Sequence, residues 1–137
     1  MKTNIPMSSI FQLVKYQIVD AKFQVEESED RKIAYKINVV PSLEIQETEE
    51  KNYFGRVKLQ IDIKGKVRNK IVRKVSVLIV GEFKGEEVDE KNFENLCKIN
   101  GVANLLLIAR AFIASVTSQI TYPPIVLPLL DLKSWQK

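Results

Sequence analysis

The chain has 137 residues, 45% of them hydrophobic and 28% charged, with a formal net charge of +4 spread among interleaved acids. That is enough chain for one domain with its own core and no need of a disulfide or metal staple. One cysteine, Cys97, excludes an internal disulfide and points to a reducing, cytoplasmic setting, and the lack of any histidine removes the commonest general base and metal ligand.

Residues 1–9 are polar around Pro6, with no apolar stretch of the kind a signal peptide needs, so none is expected. From Ile10 the pattern turns strand-like. Leu13, Val14, Tyr16 and Ile18 are followed by Val19, Ala21, Phe23 and Val25, and the change of phase near Ile18-Val19 predicts a bulge or bend. The acidic run at 26–30 reads as a turn. A second strand carries Ile33, Tyr35, Ile37 and Val39, and Pro41 assigns its middle to an edge or a bend before Leu43 and Ile45 resume. After a charged turn at 47–52, Val57, Leu59, Ile61 and Ile63 alternate with Lys58, Gln60, Asp62 and Lys64, giving one dry and one wet face. The fourth strand, from Ile71 to Phe83, is almost continuously apolar between Val75 and Val80 and is expected to be central. Strands joined by short polar turns predict an antiparallel meander.

Beyond Gly85 the spacing becomes helical. Asp89 is a fitting N-cap for a short helix bearing Phe93, Leu96 and Cys97, which is expected to end near Asn100-Gly101. A long apolar helix follows from Val102, and Pro123-Pro124 must end it. It has nearly the ~20 residues of a membrane span. Arg110 at its middle argues against one, since a central arginine costs about 2.5–3.5 kcal/mol, and no basic cluster flanks it. Such a helix is expected to be buried on more than one side. The order β-β-β-β-α-α predicts an α+β fold over a single domain, 1–137: a four-stranded antiparallel meander, a short helix and a long C-terminal helix packed on one face.

No catalytic constellation emerges. The glycines form no phosphate-binding pattern, the carboxylate pairs Glu49-Glu50 and Glu86-Glu87 sit in lysine-rich loops, and Ser115, Thr117 and Ser118 have no base to activate them. Cys97, among apolar neighbours, reads as a buried small hydrophobe. The chain is read as a non-enzyme without metal or cofactor. What stands out is surplus apolar surface: Leu105, Ile108, Phe112 and Val116 on one helix stripe, Leu106, Ala109, Ile113 and Ile120 on another, then Tyr122, Ile125, Val126, Leu127, Leu129, Leu130 and Trp135 among prolines. Two compatible uses are self-association and a groove for apolar segments of other chains. A third reading is nucleic-acid binding through Lys58, Lys64, Lys66, Arg68, Lys70 and Arg73 around the third hairpin.

The C-terminal third resembles the SecB family of export chaperones: Ile108-Ala109-Arg110-Ala111-Phe112 on the long helix, then Thr121-Tyr122-Pro123-Pro124-Ile125-Val126-Leu127-Pro128, then Asp131-Leu132. Phe11-Gln12-Leu13 with Asp20 and Phe23 resembles that family's first strand, and Glu82-Phe83 the end of its fourth, so the resemblance covers essentially the whole chain. It implies an ATP-independent holdase that binds unfolded polypeptide in apolar grooves, with no catalytic residue. Dimers would form through the first strand and tetramers through the long helices. By that resemblance Tyr16, Phe83, Tyr122, Pro124, Ile125, Leu127 and Trp135 would contact clients. Phe11, Leu13, Leu105, Ile108, Arg110, Phe112 and Val116 would lie at oligomer interfaces, and Asp20 would be left for docking the SecA motor. The chain departs from the family in being basic, with Lys74 and Gln24 where acids are expected. The family's second long helix is expected to be missing or reduced to a turn near Ser134-Trp135. That departure suits a role beside a toxin–antitoxin pair, protecting an antitoxin, as well as it suits export. The alternative from another class is a structural or regulatory oligomer of the same fold with no client groove.

Overall fold

The structure, a computed structural model, describes residues 11–26 and 32–128. Trp135 and the turn expected near Ser134 lie outside the described residues. Four long strands form one antiparallel sheet: β1 (Phe11–Val25), β2 (Ala34–Glu49), β3 (Asn52–Val67) and β4 (Lys70–Gly85). A helical layer follows, α1 (Glu90–Leu96) and α2 (Val102–Ile120). The α+β class is as expected.

The strands stand in the order β1-β4-β3-β2. Only β2, β3 and β4 run as a meander, and β1 crosses to the far edge to pair with β4. Composition explains this. Val75, Val77, Ile79 and Val80 on β4 are all buried, and a strand this apolar needs a neighbour on each side. Tight turns hold the meander in register. Val67 pairs with Lys70 across Arg68 and Asn69, whose φ values of 50° and 69° make the two-residue turn that suits twisted hairpins. Pro41 lies within an unbroken β2, paired with Leu59, and is tolerated because β2 is an edge strand. The bulge expected near Ile18 is present between Ile18 and Asp20, and a second, between Leu13 and Lys15, leaves Val14 outside the pairing.

Asp89 caps α1 as expected, its carboxylate accepting from the Asn92 backbone N–H at 2.8 Å. The helix does not end near Asn100-Gly101. Cys97–Gly101 form one wider turn in which the Val102 N–H reaches back to the Cys97 carbonyl, and α2 continues directly. Gly101 takes helical angles (φ −62°, ψ −49°) and is buried against Phe83 and Val57. It is a packing glycine, not a stop signal.

The helices lie on the face of the sheet that carries Leu59, Ile61, Val77, Ile79 and Phe83. Val102, Leu105, Ala109, Ile113 and Thr117 form the buried stripe of α2. Close approach depends on glycine, at Gly81 and Gly85 above all. A Cβ on Gly81 would stand 2.7 Å from a Leu105 methyl, and one on Gly85 would stand 2.5 Å from the Phe93 ring. The helix has the length and hydropathy of a membrane span, but its inner stripe is core.

Candidate functional site

Past Thr121 the chain turns at a cis Tyr122–Pro123 bond and runs back along α2. Two bonds fix the return: the Ile125 N–H donates to the Thr117 hydroxyl at 2.8 Å, and Arg110 Nε donates to the Leu127 carbonyl at 2.7 Å. Ile125 and Leu127 point into the core while Val126 is 52% exposed, so this stretch behaves like a short extended strand with an inner and an outer side.

Behind the turn sits Arg73, in phase with Val75 and Val77 on the dry face and only 5% exposed. Its Nη1 donates to the Tyr35 hydroxyl at 2.6 Å and the Pro123 carbonyl at 3.1 Å. Its Nη2 donates to the Thr121 hydroxyl at 2.9 Å and the Tyr122 carbonyl at 3.2 Å. The Nε is buried without a partner. The planar fork thus ties the end of α2 and the turn to β2 through neutral oxygens, with no carboxylate bound to it among the described residues. The nucleic-acid reading counts Arg73 among the basic residues around the third hairpin, and that is corrected: this guanidinium faces inward. Its phase with the apolar residues of β4 was the signal available in the sequence.

Anchoring the turn leaves Tyr122 89% exposed, with Ile120 at 49% and Val126 beside it, and Arg73 brings half-exposed Tyr35 to the same end of the sheet. Pro124 is partly buried in this segment. A second apolar region lies on edge strand β1, where Val14, Tyr16 and Val19 are each about half exposed. The other expected client residues are elsewhere. Phe83, Ile125 and Leu127 are buried in the core, Phe83 stacked on Phe11 at 5.1 Å between ring centroids. They are closed to any client in this fold.

The residues expected at subunit interfaces also divide. Leu105 is fully buried against the sheet and offers nothing to a partner. Phe11, Leu13, Ile108 and Phe112 are partly buried against the core, with Phe112 6.0 Å from Phe23 of β1. Val116 is partly buried, and Arg110 reaches the Leu127 carbonyl of its own chain. Asp20 is exposed on the opposite face of the sheet, paired with Leu78.

Among the described residues two groups titrate unusually. The hydrogen bond to Glu47, 2.7 Å from the Tyr53 hydroxyl, pushes that phenol up to about 12, helped by burial and by the neighbouring acids. Burial, with a smaller push from Glu94, raises the Cys97 thiol to about 12, so it stays protonated and inert. Among the described residues no group of acids and thiols is arranged to hold a metal.

A four-stranded sheet ordered β1-β4-β3-β2, one long helix across its dry face and an apolar return segment along that helix define an α+β class of fold. The family model for SecB, preprotein translocase subunit SecB, matches residues 8–135. The chain belongs to the SecB family. Among solved structures it is similar to the SecB-like chaperone Rv1957 of Mycobacterium tuberculosis, solved in complex with a ChAD peptide from the antitoxin HigA1 (Rv1956). The TM-score is 0.70 at 13% identity, covering 88% of this chain and 90% of that one. It is also similar to a protein of unknown function from Streptococcus agalactiae, with a TM-score of 0.56 at 14% identity, covering 88% of this chain and 98% of that one. No curated protein matches the sequence.

Proposed function

We propose that this protein is a holdase chaperone of the cytoplasm that binds unfolded or aggregation-prone polypeptide through apolar contact, without ATP and without catalysis. The observation that carries the reading is Tyr122, 89% exposed at the head of a segment whose backbone Arg73 fastens. Large apolar groups held rigidly in water are the mark of an interaction surface. Tyr122, Val126, Ile120 and Tyr35 form the primary client surface, with Tyr16 on β1 a second contact. Self-association uses the β1 edge and the half-buried flank of α2 at Ile108, Phe112 and Val116. Membership of the SecB family supports an export client, and the antitoxin peptide bound by Rv1957 supports an antitoxin client.

The test is light scattering from an aggregating unfolded protein, without nucleotide, with the oligomeric state followed in parallel. Suppression by the wild type, weakened at least about threefold by Tyr122→Ser with Val126→Asp, is the expected result. An intact assembly that leaves scattering unchanged would favour the purely structural oligomer.

A further inference from the structure

The face of the sheet turned away from the helices carries a feature that client binding does not use. In consecutive strands Lys36 pairs directly with Lys64, and Lys64 with Lys74. All three side chains are exposed, and they line a shallow recess of about 490 Å³ with Asn38 and Asp62. Neighbouring strands stand about 4.8 Å apart, so the three ammonium-bearing positions span only about 10 Å. Like charges placed directly opposite on adjacent strands repel and destabilise a sheet. Among the described residues none of the three is in an ion pair, and Asp62, the one carboxylate of the recess, is engaged by Gln60. The fourth position of the row, on β1, is Gln24, opposite Lys74.

We infer that the Lys36–Lys64–Lys74 row is a docking site for a short acidic segment of a partner protein, one presenting two or three closely spaced carboxylates. The dimensions favour a peptide over a nucleic acid. Beyond the row Lys66 stands next to the β3–β4 turn, and in the other direction the face carries as much acid as base, Asp62 with Lys22, then Asp20, then Lys58, then Glu44, Arg56, Glu82 and Lys15, whereas a phosphate backbone asks for a longer basic track. The site lies on the opposite face of the sheet from the Arg73-anchored turn, so a client and an acidic partner can be bound together. The inference does not rest on the client reading.

The experiment is fluorescence anisotropy of a labelled hexaglutamate peptide with the full chain at low ionic strength, alongside a hexathymidylate of comparable charge. Peptide binding that falls with added salt, and that drops about tenfold or more in Lys36→Gln/Lys64→Gln/Lys74→Gln while Lys91→Gln on α1 leaves it unchanged, is the expected result. Equal binding by the triple variant, tighter binding of the oligonucleotide, or no peptide binding at low salt overturns it. A second readout needs no ligand: Lys64→Gln relieves both direct repulsions and is expected to raise Tm by about 1–3 °C. An unchanged or lowered Tm would show that the row carries no unrelieved repulsion.

Discussion

Replacing Arg73 with alanine removes four donated hydrogen bonds, at 2.6, 2.9, 3.1 and 3.2 Å. Their worth is set by what the acceptors do afterwards. All four bonds are only part-buried, so water can reach the four oxygens once the guanidinium is gone. Each lost bond then costs toward the low end of the usual range, about 0.5–1 kcal/mol, or about 2–4 kcal/mol for the set. Losing the packed aliphatic stem adds about 1 kcal/mol. Release of a buried cation whose Nε is unpartnered gives back about 1–2 kcal/mol. The expected net loss is about 1–4 kcal/mol, a large part of the roughly 5–15 kcal/mol that holds an ordinary domain together. Urea unfolding of Arg73→Ala should show the midpoint falling with its slope unchanged. Thermolysin should cut on the amino side of Val126 faster than in wild type, because the segment is no longer fastened. Arg73→Met, which keeps the stem, should recover about 1 kcal/mol of the loss. A midpoint within 0.3 kcal/mol of wild type for Arg73→Ala, with unaltered cleavage, would refute the clamp.

Thr117→Val should destabilise by about 1–3 kcal/mol in the same assay, since it strips the acceptor from the buried Ile125 N–H. Gly85→Val, driven into the Phe93 ring, should cost more than Gly101→Ala, whose Cβ would meet Phe83 at an ordinary 3.4 Å; thermal melts decide the order. Arg68→Asn with Asn69→Gly places the favoured Asn-Gly pair at two positive-φ positions and should raise stability by about 0.5–1 kcal/mol. Stability should also fall in alkali. Tyr53 and Cys97 hold their protons more tightly folded than unfolded, from ordinary values of 10.0 and 9.0 up to about 12. Their contribution is therefore complete below about pH 9 and is lost as pH climbs toward 12. Tyr53→Phe should flatten the upper part of that decline, and native Cys97 should resist thiol reagents at pH 8.

Periodicity carried most of the fold. The alternation of β3, the continuous apolar run of β4, the phase change at Ile18-Val19 and the Asp89 cap all appear where they were expected. Strand order did not, because local pattern says which face of β1 is dry but not which strand it pairs with. Gly101 misled because glycine near a helix end is commonly a cap, and only the packing on Phe83 shows that it lets the helix approach. In the candidate site, exposure separates residues that a list of apolar side chains leaves together. Tyr122 and Val126 face water while Ile125 and Leu127 are core, an alternation that an extended return segment imposes and a proline-rich sequence conceals. Arg73 looks like a surface cation by its charge, and only its strand phase with Val75 and Val77 puts it on the dry face.

The place of β1 has a consequence for how the protein is made. Its partners on β4, from Arg73 to Gly85, lie dozens of residues downstream, so closing that pairing costs far more chain entropy than the tight turns of the β2-β3-β4 meander. Of the four strands β1 is made earliest and is the last that can find its neighbour, and until it does one edge of β4 stays open and Phe83 and Phe93 lack the ring of Phe11. A protein proposed to shelter unfinished chains passes through an unfinished stage of the same kind, with its own N-terminal strand waiting for a sheet to join.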